Sequence, residues 1–366
     1  MPPRVVLSVF STFAVGGAQV RFTSIANHFG PRYRHAIIAM SGQTECRERL
    51  DPTLDVSFPT LSFRKGDTLR NVRTFRRFLQ LLQPDVLVTS NFGTIEWAIA
   101  NLLPVVRHVH MEDGFGPEER ERQIARRVWL RRLLLRRATV MLPSRNLLRI
   151  ARTIWRLPDT SLRYIPNGID LERFGAATPT TPWPAGEGPV MGTVAALRAE
   201  KNLPRLLRAF AKVATELPGR LVIVGDGPER AGLEALAASL GLAARVHLIG
   251  HVAAPQGLYR GFDLYALSSD TEQMPMTILE AMAASLPIAA TDVGDVADMV
   301  APENRPFVAP LTDAALAESL RALMTNAALR HDLGKANRAK VVRDYDQQAM
   351  FTAYAALFDG VPAPDS

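Results

Sequence analysis

Residues 268–283 read SSDTEQMPMTILEAMA, and residues 288–294 read IAATDVG. Two glutamates, Glu272 and Glu280, stand eight positions apart with Pro275 between them. A proline suits the first turn of a helix and stops a helix from entering from the N-terminal side. We therefore predict Glu272 in a loop and Glu280 in the first turns of the next helix. The two carboxylates can hydrogen-bond pairs of hydroxyls, and the free N–H groups of the helix N-terminus suit a phosphate.

Length and composition describe a chain with room for two domains. It has 366 residues, of which 47% are hydrophobic and 22% charged, enough for a sizeable core. Cys46 is the single cysteine, which excludes a disulfide framework and favours a reducing compartment. The N-terminus has too short an apolar run for a signal peptide, and no stretch approaches the ~20 apolar residues of a membrane span. We predict a cytoplasmic protein, with peripheral binding at the inner face of the membrane as a hypothesis.

The charge is distributed unevenly. Residues 1–170 carry a net charge of +12 and the remaining residues carry −5. A basic half favours an acidic partner, which is a phosphorylated substrate, an anionic membrane surface or nucleic acid. GC-rich coding also produces Arg-rich surfaces. Nucleic acid is the weakest of these readings, because the arginines lack interleaved aromatics and a recognisable reading motif.

Strands and helices alternate along the chain, which predicts parallel α/β sheets. Glycines and prolines cluster at 175–189, and the alternation then restarts. We predict an α/β protein with two doubly wound, Rossmann-like domains facing a central cleft. The predicted domains are 1–174 and 190–345, joined by the linker 175–189. A final helix with a frayed tail at 360–366 occupies 346–366.

Two cations follow the strand predicted at 190–195. Arg198 and Lys201 stand three positions apart before the next helix, which suits binding of a diphosphate. A solvated loop is the commoner fate of such a pair. Gly225 ends another predicted strand, and Asp226 beside it suits a structural cap of the turn.

Two glycines follow the first predicted strand. Gly16 and Gly17 open the first helix, where glycine lets a ligand approach the backbone and the helix N-terminus favours negative charge. The pair does not complete the fingerprint of a dinucleotide-binding fold. A plain tight turn explains the two glycines equally well.

Polar residues also end strands in the first half. His110 is a candidate substrate contact, and Asn91 and Glu96 are weaker ones. Metal ligation by His110, Glu112 and Asp113 is disfavoured, because their spacing fits no zinc pattern. For a single histidine, a structural role is the more common.

A long helix rich in arginine is predicted at 118–137. Its arginines and leucines spread around the axis and do not form a clean amphipathic face. Packing of the leucines, with arginines extending to solvent, is as good an explanation as membrane contact.

Together, these residues resemble the retaining GT-B glycosyltransferases of the glycogen-synthase-like and bacterial polysaccharide group. The match is most specific at the E-x7-E segment, and it covers nearly the whole chain. The matching motifs, in the order of the family, are Gly16-Gly17-Ala18, Asn167-Gly168-Ile169-Asp170 with Phe174, Arg198 with Lys201-Asn202, residues 224–229, and Glu272 to Gly294.

The resemblance implies a nucleotide-diphospho-sugar donor and transfer of the sugar to a saccharide or lipid-linked acceptor, in the manner of a hexosyltransferase. Arg198 and Lys201 would bind the diphosphate, Glu280 the ribose and Glu272 the donor sugar. No metal and no cofactor are implied, and no nucleic-acid partner. The terminal helix would cross back onto the first domain, which suits the aromatic-rich segment 345–358. The other implied substrate contacts are Gly16 and Gly17 over the phosphates, His110 near the anomeric carbon, and Asn91, Gly225, Met274, Pro275 and Thr277.

Two positions depart from the family pattern. Gln273 stands where the family often has glycine, beside the carboxylate proposed for the sugar. Ser285 stands where the helix usually ends in glycine, a modest change in capping.

The leading hypothesis is therefore a metal-independent transferase in bacterial surface-polysaccharide or glycolipid assembly. The alternative of a different class is a catalytically silent nucleotide- or sugar-binding protein of the same fold, against which the retained charged residues argue. An NAD-dependent enzyme is disfavoured, because no complete phosphate-loop fingerprint follows the first strand.

Overall fold

The computed structural model describes residues 3–64, 66–119 and 122–361, which form two compact units. The first unit contains the described residues up to Pro166 and those from Met350 onward, and the second runs from Asn167 to Ala349. The observed division thus precedes the predicted end of the first domain at 174. Of the tail predicted at 360–366, residues 362–366 lie outside the described residues.

In the described part of the first unit, seven parallel strands form one sheet in the order β3-β2-β1-β4-β5-β6-β7. The strands are β1 (Arg4–Phe10), β2 (Tyr33–Ala39), β3 (Val56–Ser57), β4 (Val86–Ser90), β5 (Arg107–Met111), β6 (Thr139–Leu142) and β7 (Leu162–Tyr164). The helices are α1 (Gly17–Phe29), α2 (Thr68–Leu82), α3 (Ile95–Ala100), α4 (Ala125–Leu134) and α5 (Arg145–Thr153). Short 3-10 turns lie at Gly30–Arg32, Glu45–Arg49, Phe92–Thr94, Pro117–Glu119 and Asp159–Ser161.

In the described residues of the second unit, six parallel strands form a sheet in the order β10-β9-β8-β11-β12-β13. The strands are β8 (Val190–Val194), β9 (Arg220–Val224), β10 (Val246–Gly250), β11 (Leu264–Leu267), β12 (Ile288–Thr291) and β13 (Val308–Ala309). The helices are α6 (Leu171–Gly175), α7 (Leu203–Ala214), α8 (Arg230–Ser239), α9 (Gln256–Tyr259), α10 (Met276–Ala283), α11 (Val296–Met299), α12 (Asp313–Thr325) and α13 (Ala327–Asp344), with 3-10 turns at Ala199–Lys201 and Pro302–Phe307.

The order of the strands determines where the helices lie in the first unit. The crossovers through α2, α3, α4 and α5 all step in the same direction across the sheet, whereas α1 steps in the opposite direction. Because such crossovers are right-handed, α2 to α5 cover one face of the sheet and α1 covers the other. The last helix, α14 (Gln347–Asp359), contributes Phe351, Tyr354 and Phe358 to a buried cluster with Ile25 of α1.

The predicted linker packs against the second unit. Trp183 is 7% exposed, and its ring stacks on Phe262 with centroids 5.4 Å apart. The backbone N–H of Thr180 donates to the carbonyl of Gly257 over 2.9 Å. Burial of a large aromatic ring therefore holds a segment whose glycines and prolines suggested a free linker.

The Arg-rich helix is shorter than predicted. Helix α4 covers Ala125–Leu134 rather than 118–137, and Arg120 lies outside the described residues. The carboxylate of Glu119 accepts from the backbone N–H of Ile124 just before the helix. Arg131 is 1% exposed and pairs with Glu112 at 3.0 Å and with Glu119 at 3.4 Å. One arginine of the segment is therefore a core residue.

Candidate functional site

The carboxyl ends of β8 and β11 lie side by side in the second sheet. The chain leaves β8 toward β9 on one side and returns to β11 on the other. Such a reversal of strand order is where open α/β sheets bind ligands. The loops that follow these two strands carry the predicted diphosphate and sugar residues.

Lys201 and Glu272 meet at this edge of the sheet. Lys201 Nζ lies 2.6 Å from Glu272 Oε1, and the hydroxyl of Ser269 donates to the same oxygen over 2.8 Å. The side chains of Lys201 and Glu272 are 26% and 12% exposed. Both groups are thus held in place while part of each remains open to solvent.

Asn202 fixes the loop that carries Lys201. It adopts a left-handed conformation with φ +40°, and its side chain caps α7 by accepting from the N–H of Arg205. Its amide also donates to Asp270 over 3.0 Å. Arg205 pairs with Asp270 at 2.7 Å and donates to the carbonyl of Ser268 over 2.9 Å. The two loops are therefore tied together beneath the Lys201–Glu272 pair.

Gly294 permits the third loop to approach Glu272. Its φ is +56°, and a Cβ there would overlap the carbonyl oxygen of Glu272 and lie 2.6 Å from that of Gln273. The N–H of Asp295 donates to the carbonyl of Gln273, and the hydroxyl of Thr291 donates to the carbonyl of Ser269. Only glycine combines this conformation with this approach.

Arg198 is an exposed cation in the loop that carries Lys201. Its guanidinium makes no hydrogen bond or ion pair with the residues that the structure describes. The loop that carries it lies against Gly225, whose φ is +135° and whose Cβ would overlap the carbonyl oxygen of Ala195. The side chain of Asp226 accepts from the N–H of Gly227 over 2.8 Å, which gives that aspartate the structural role expected of it.

Glu280 lies within α10, and Glu272 lies in the preceding loop, as the proline predicted. The hydroxyl of Tyr259 donates to Glu280 Oε2 over 2.6 Å. Burial raises the pKa of the Glu280 carboxyl, and the Tyr259 hydrogen bond opposes this shift. Glu280 Oε1 has no hydrogen-bond partner among the described residues.

The other predicted contacts in this segment are more enclosed. Met274 is 7% exposed, and its carbonyl accepts from the side chain of Asn167 over 3.2 Å. Pro275 is buried at the N-cap of α10, and Thr277 is half-buried in the first turn of that helix. Met274 and Pro275 therefore pack beneath the site, and Thr277 is only partly open to solvent.

The predicted glycines of the first unit are not required by internal packing. Gly16 is the N-cap of α1 with an extended backbone, and Gly17 is the first helical residue. A Cβ at Gly17 would meet nothing within 4 Å, and one at Gly16 would meet only the flexible end of Gln19. The chain itself therefore leaves space around this backbone.

His110 has no exposed surface. Its Nδ1 lies 2.8 Å from the hydroxyl of Thr89, and its Nε2 lies 3.4 Å from Glu112. Burial opposes ionisation of Glu112, but hydrogen bonding to His110 and the charge of Arg131 outweigh it and lower the Glu112 pKa. A direct contact with a sugar would require the imidazole to leave this network.

Asn91 and Glu96 have structural partners in the first unit. Asn91 has φ +58°, and its side chain accepts from the N–H of Asp113 over 2.7 Å. Glu96 accepts from Thr68 and Asn71 at the start of α2. In residues 3–64, 66–119 and 122–361, no three His, Cys, Asp or Glu side chains are grouped in a way that suits a metal ion.

The sequence did not indicate several supporting residues. Ser269 and Tyr259 hold the two glutamates, and Arg205 ties the loops. The Asn-Leu-Pro sequence at 202–204 is a capping signal that identifies Asn202. No local pattern marks Tyr259, because it reaches Glu280 from another helix.

Family models match both halves of the chain. Residues 183–340 match Glycosyl transferases group 1, and residues 15–173 match Glycosyltransferase Family 4. Over 169 residues the chain is 27% identical to the N-acetyl-alpha-D-glucosaminyl L-malate synthase of Bacillus anthracis, a match that covers 46% of this chain and 44% of that relative. The chain spans less than half the length of the curated relatives it matches.

Solved structures with the same fold cover nearly all of the chain. A glycosyltransferase from Rickettsia africae has a TM-score of 0.80 at 16% identity, over 98% of this chain and 99% of that one. The Anabaena protein HepE in complex with UDP has a TM-score of 0.79 at 18% identity, over 98% and 100%.

Within the described residues, none of the helices has both the length and the apolar character that crossing a bilayer requires. Each of the two sheets lies in a half of the chain that a glycosyltransferase family model matches, and the solved structures cover both halves. The chain therefore belongs to the glycosyltransferases with the GT-B fold, with a family 4 first half and a group 1 second half.

Proposed function

We propose that the chain transfers a sugar from a nucleotide-diphospho-sugar to a hydroxyl acceptor, with retention of the anomeric configuration and without a metal ion. The observation that carries this proposal is the Lys201–Glu272 pair, with the exposed Arg198 in the loop that carries Lys201, at the adjoining ends of β8 and β11. The complex of HepE with UDP supports a nucleotide in a protein of this fold.

In this proposal, different charged residues of the second unit bind different parts of the donor. Arg198 and Lys201 bind the diphosphate, and the free oxygen of Glu280 accepts a hydrogen bond from the ribose. Glu272 accepts from hydroxyls of the donor sugar. Preorganised cations of this kind stabilise the charge that develops on the leaving diphosphate.

The transfer itself needs no protein nucleophile. The acceptor oxygen forms a bond to the anomeric carbon on the face from which the diphosphate departs, and the bond from that carbon to the phosphate oxygen breaks. The departing phosphate oxygen takes the proton of the acceptor hydroxyl. Arg198 and Lys201 stabilise the charge that remains on the diphosphate.

In the first unit, we assign ligand approach to Gly16 and Gly17, whose surroundings leave space for it. Asn91 orders the loop that contains Asp113, and His110 supports the strand end from within its buried network. The acceptor is a saccharide or a lipid-linked saccharide of surface-polysaccharide or glycolipid assembly. The +12 charge of residues 1–170 supports an acceptor held at an anionic surface.

A thermal-shift screen of UDP, GDP and ADP sugars tests the proposal. A donor at ~100 times its Kd stabilises the fold by about 2.7 kcal/mol. Arg198→Gln abolishes the shift, whereas Arg343→Gln, at an exposed position paired with Asp344, retains it. No shift with any nucleotide sugar would refute donor binding.

Donor hydrolysis separates a transferase from a silent binding protein of the same fold. The wild type releases the sugar slowly in the absence of acceptor, and Glu272→Ala does not. A chain that binds the donor but never cleaves it, with any acceptor offered, is a binding protein.

A further inference from the structure

The helices on one face of the first sheet are almost free of acidic residues. Helices α2, α3, α4 and α5 together contain eleven arginines and one glutamate. They form one layer, because all four crossovers step in the same direction across the sheet. The positive charge of the first half is therefore concentrated on one side of that unit.

Four exposed arginines of α2 and α4 have no acidic partner among the described residues, whereas Arg152 of α5 pairs with Asp159 at 2.6 Å. Arg70, Arg73 and Arg77 on α2 and Arg126 on α4 are exposed, and none forms an ion pair with the described residues. Three of them follow the helical repeat on α2, so they lie on one stripe.

The helices of the second unit show that arginine-rich coding alone does not leave arginines unpaired. Arg208 pairs with Asp313 at 2.6 Å and Arg230 with Glu234 at 3.0 Å. Arg321 pairs with Glu216 at 3.0 Å. Arg70, Arg73, Arg77 and Arg126 differ from these second-unit arginines in having no acidic partner among the described residues.

Large apolar side chains stand exposed among these arginines. Trp129 and Leu133, one turn apart on α4, are 59% and 49% exposed. Leu69 and Leu81, near the two ends of α2, are each 76% exposed. Tryptophan with surrounding arginine is the composition that binds the boundary between lipid headgroups and acyl chains.

We propose that this side of the first unit docks on an anionic lipid bilayer, through Arg70, Arg73, Arg77, Arg126, Trp129 and Leu133, which we call the α2–α4 face. The arginines bind lipid phosphates, and Trp129 and Leu133 enter the headgroup region. The inference rests on the proposed function in one respect: docking brings the chain to a lipid-linked acceptor.

Trp129 provides a direct reporter. The chain has four tryptophans, and Trp97, Trp155 and Trp183 are at most 7% exposed. A shift of the emission to shorter wavelength, with protection from a soluble quencher, therefore reports on Trp129 when vesicles are added. Trp129→Phe removes this change while the chain still sediments with the vesicles.

The test uses the full chain with phosphatidylcholine vesicles, with and without phosphatidylglycerol. We expect sedimentation with the anionic vesicles alone, weakening as salt rises. Arg73→Gln with Arg77→Gln weakens binding by about 25-fold, since each arginine near an anionic surface contributes about fivefold. The matched control, Arg47→Gln with Arg49→Gln, removes two exposed arginines from the turn that packs on α1, and it binds as the wild type does.

Several results would overturn the docking. These are no sedimentation at low salt, no change in Trp129 emission, or equal losses in the control pair. Duplex DNA that binds as tightly as the vesicles, with no effect of Trp129→Ser on either, would identify a general polyanion surface instead. The thermal shift with nucleotide sugars is measured on the same variants. If the chain binds a donor but not vesicles, only the docking proposal is refuted. If it binds vesicles but no donor, only the proposed function is refuted.

Discussion

Lys201 Nζ lies 2.6 Å from Glu272 Oε1, so the cation proposed for the diphosphate and the carboxylate proposed for the sugar are paired with each other. A diphosphate that recruits Lys201 separates this pair. The carboxylate then needs new hydrogen-bond donors, and the hydroxyls of a sugar are suitable ones. A nucleotide without its sugar leaves Glu272 without this compensation.

We therefore expect Glu272→Gln to bind UDP more tightly than the wild type while transferring sugar more slowly. Loss of the carboxylate charge releases Lys201, and a partly exposed pair of this kind is worth about 1 kcal/mol, or roughly fivefold in Kd. Titration calorimetry with UDP measures the change.

Glu200→Gln is the matched control for that variant. Glu200 lies in the same loop as Lys201 and forms no ion pair among the described residues. It removes the same charge from the vicinity without releasing Lys201. Equal gains in UDP affinity for the two variants would show that general charge, rather than the pair, is responsible.

Two glycine substitutions separate folding from ligand approach. Gly294→Ala places a Cβ against the Glu272 carbonyl at a positive φ, and we expect a loss of about 2 kcal/mol in unfolding free energy together with weaker donor binding. Gly17→Ala meets no atom within 4 Å, so we expect unchanged or slightly higher stability. Chemical denaturation measures the unfolding free energy of each variant, and a transfer assay measures its activity.

If Gly17→Ala also retains full activity, the proposed ligand approach at that glycine is wrong. If it loses activity at unchanged stability, packing within the chain cannot be the reason. Gly232→Ala, within α8 and likewise free of atoms within 4 Å, serves as the control.

Buried histidines of the first unit make its stability depend on pH. Burial lowers the pKa of His35 to about 4, opposed by Asp55, and that of His108 to about 3, from the ordinary 6.5. Between the pKa of each histidine in the folded chain and the ordinary value of 6.5, the unfolded chain binds more protons than the folded one. Stability is therefore complete above pH 6.5 and falls as the pH is lowered, by up to about 1.4 kcal/mol per pH unit for His35.

His35→Leu reduces this acid sensitivity. His35 is fully buried, and neither ring nitrogen has a partner among the described residues. Denaturation at a series of pH values between neutral and acidic measures the slope. His331→Leu, at a side chain that is 79% exposed, leaves the slope as it is. A parallel loss in wild type and His35→Leu would contradict the assignment.

Replacement of Ser285 by glycine is expected to stabilise the protein. It has φ +62° just beyond α10, where the N–H of Leu286 donates to the carbonyl of Ala281. Because a left-handed conformation costs a residue with a Cβ about 1 kcal/mol, Ser285→Gly is expected to raise the unfolding free energy by about that amount. Ser285→Ala keeps the same backbone cost and provides the control. Thermal unfolding that ranks alanine equal to glycine would contradict the explanation.

The alternation of strands and helices was predictable because each element carries its own periodicity and end signals. Pro275 placed the start of α10 correctly, since the helix begins at the next residue, Met276. The two-residue strands β3 and β13 escaped detection, since two residues show no alternation. The Arg-rich helix was extended too far, because arginines favour helix whether or not the chain continues one.

For the candidate site, the sequence indicated individual residues and not their contacts with one another. Lys201 and Glu272 were assigned separate ligands, and their mutual contact depends on the adjacency of β8 and β11. The buried network of His110 includes Thr89, which contacts it from β4, and Arg131 of α4, which joins it through Glu112. Such partners are set by packing over long separations, which local patterns do not record.

The core of the first unit is completed late in synthesis, because it includes side chains of helix α14. The second unit is continuous from Asn167 to Ala349, so all of its chain has been made before α14 is finished. The core of the first unit waits for Phe351, Tyr354 and Phe358. On the ribosome, the core of the half that is translated first is therefore completed only when α14 has emerged, and until then its apolar surface stays exposed.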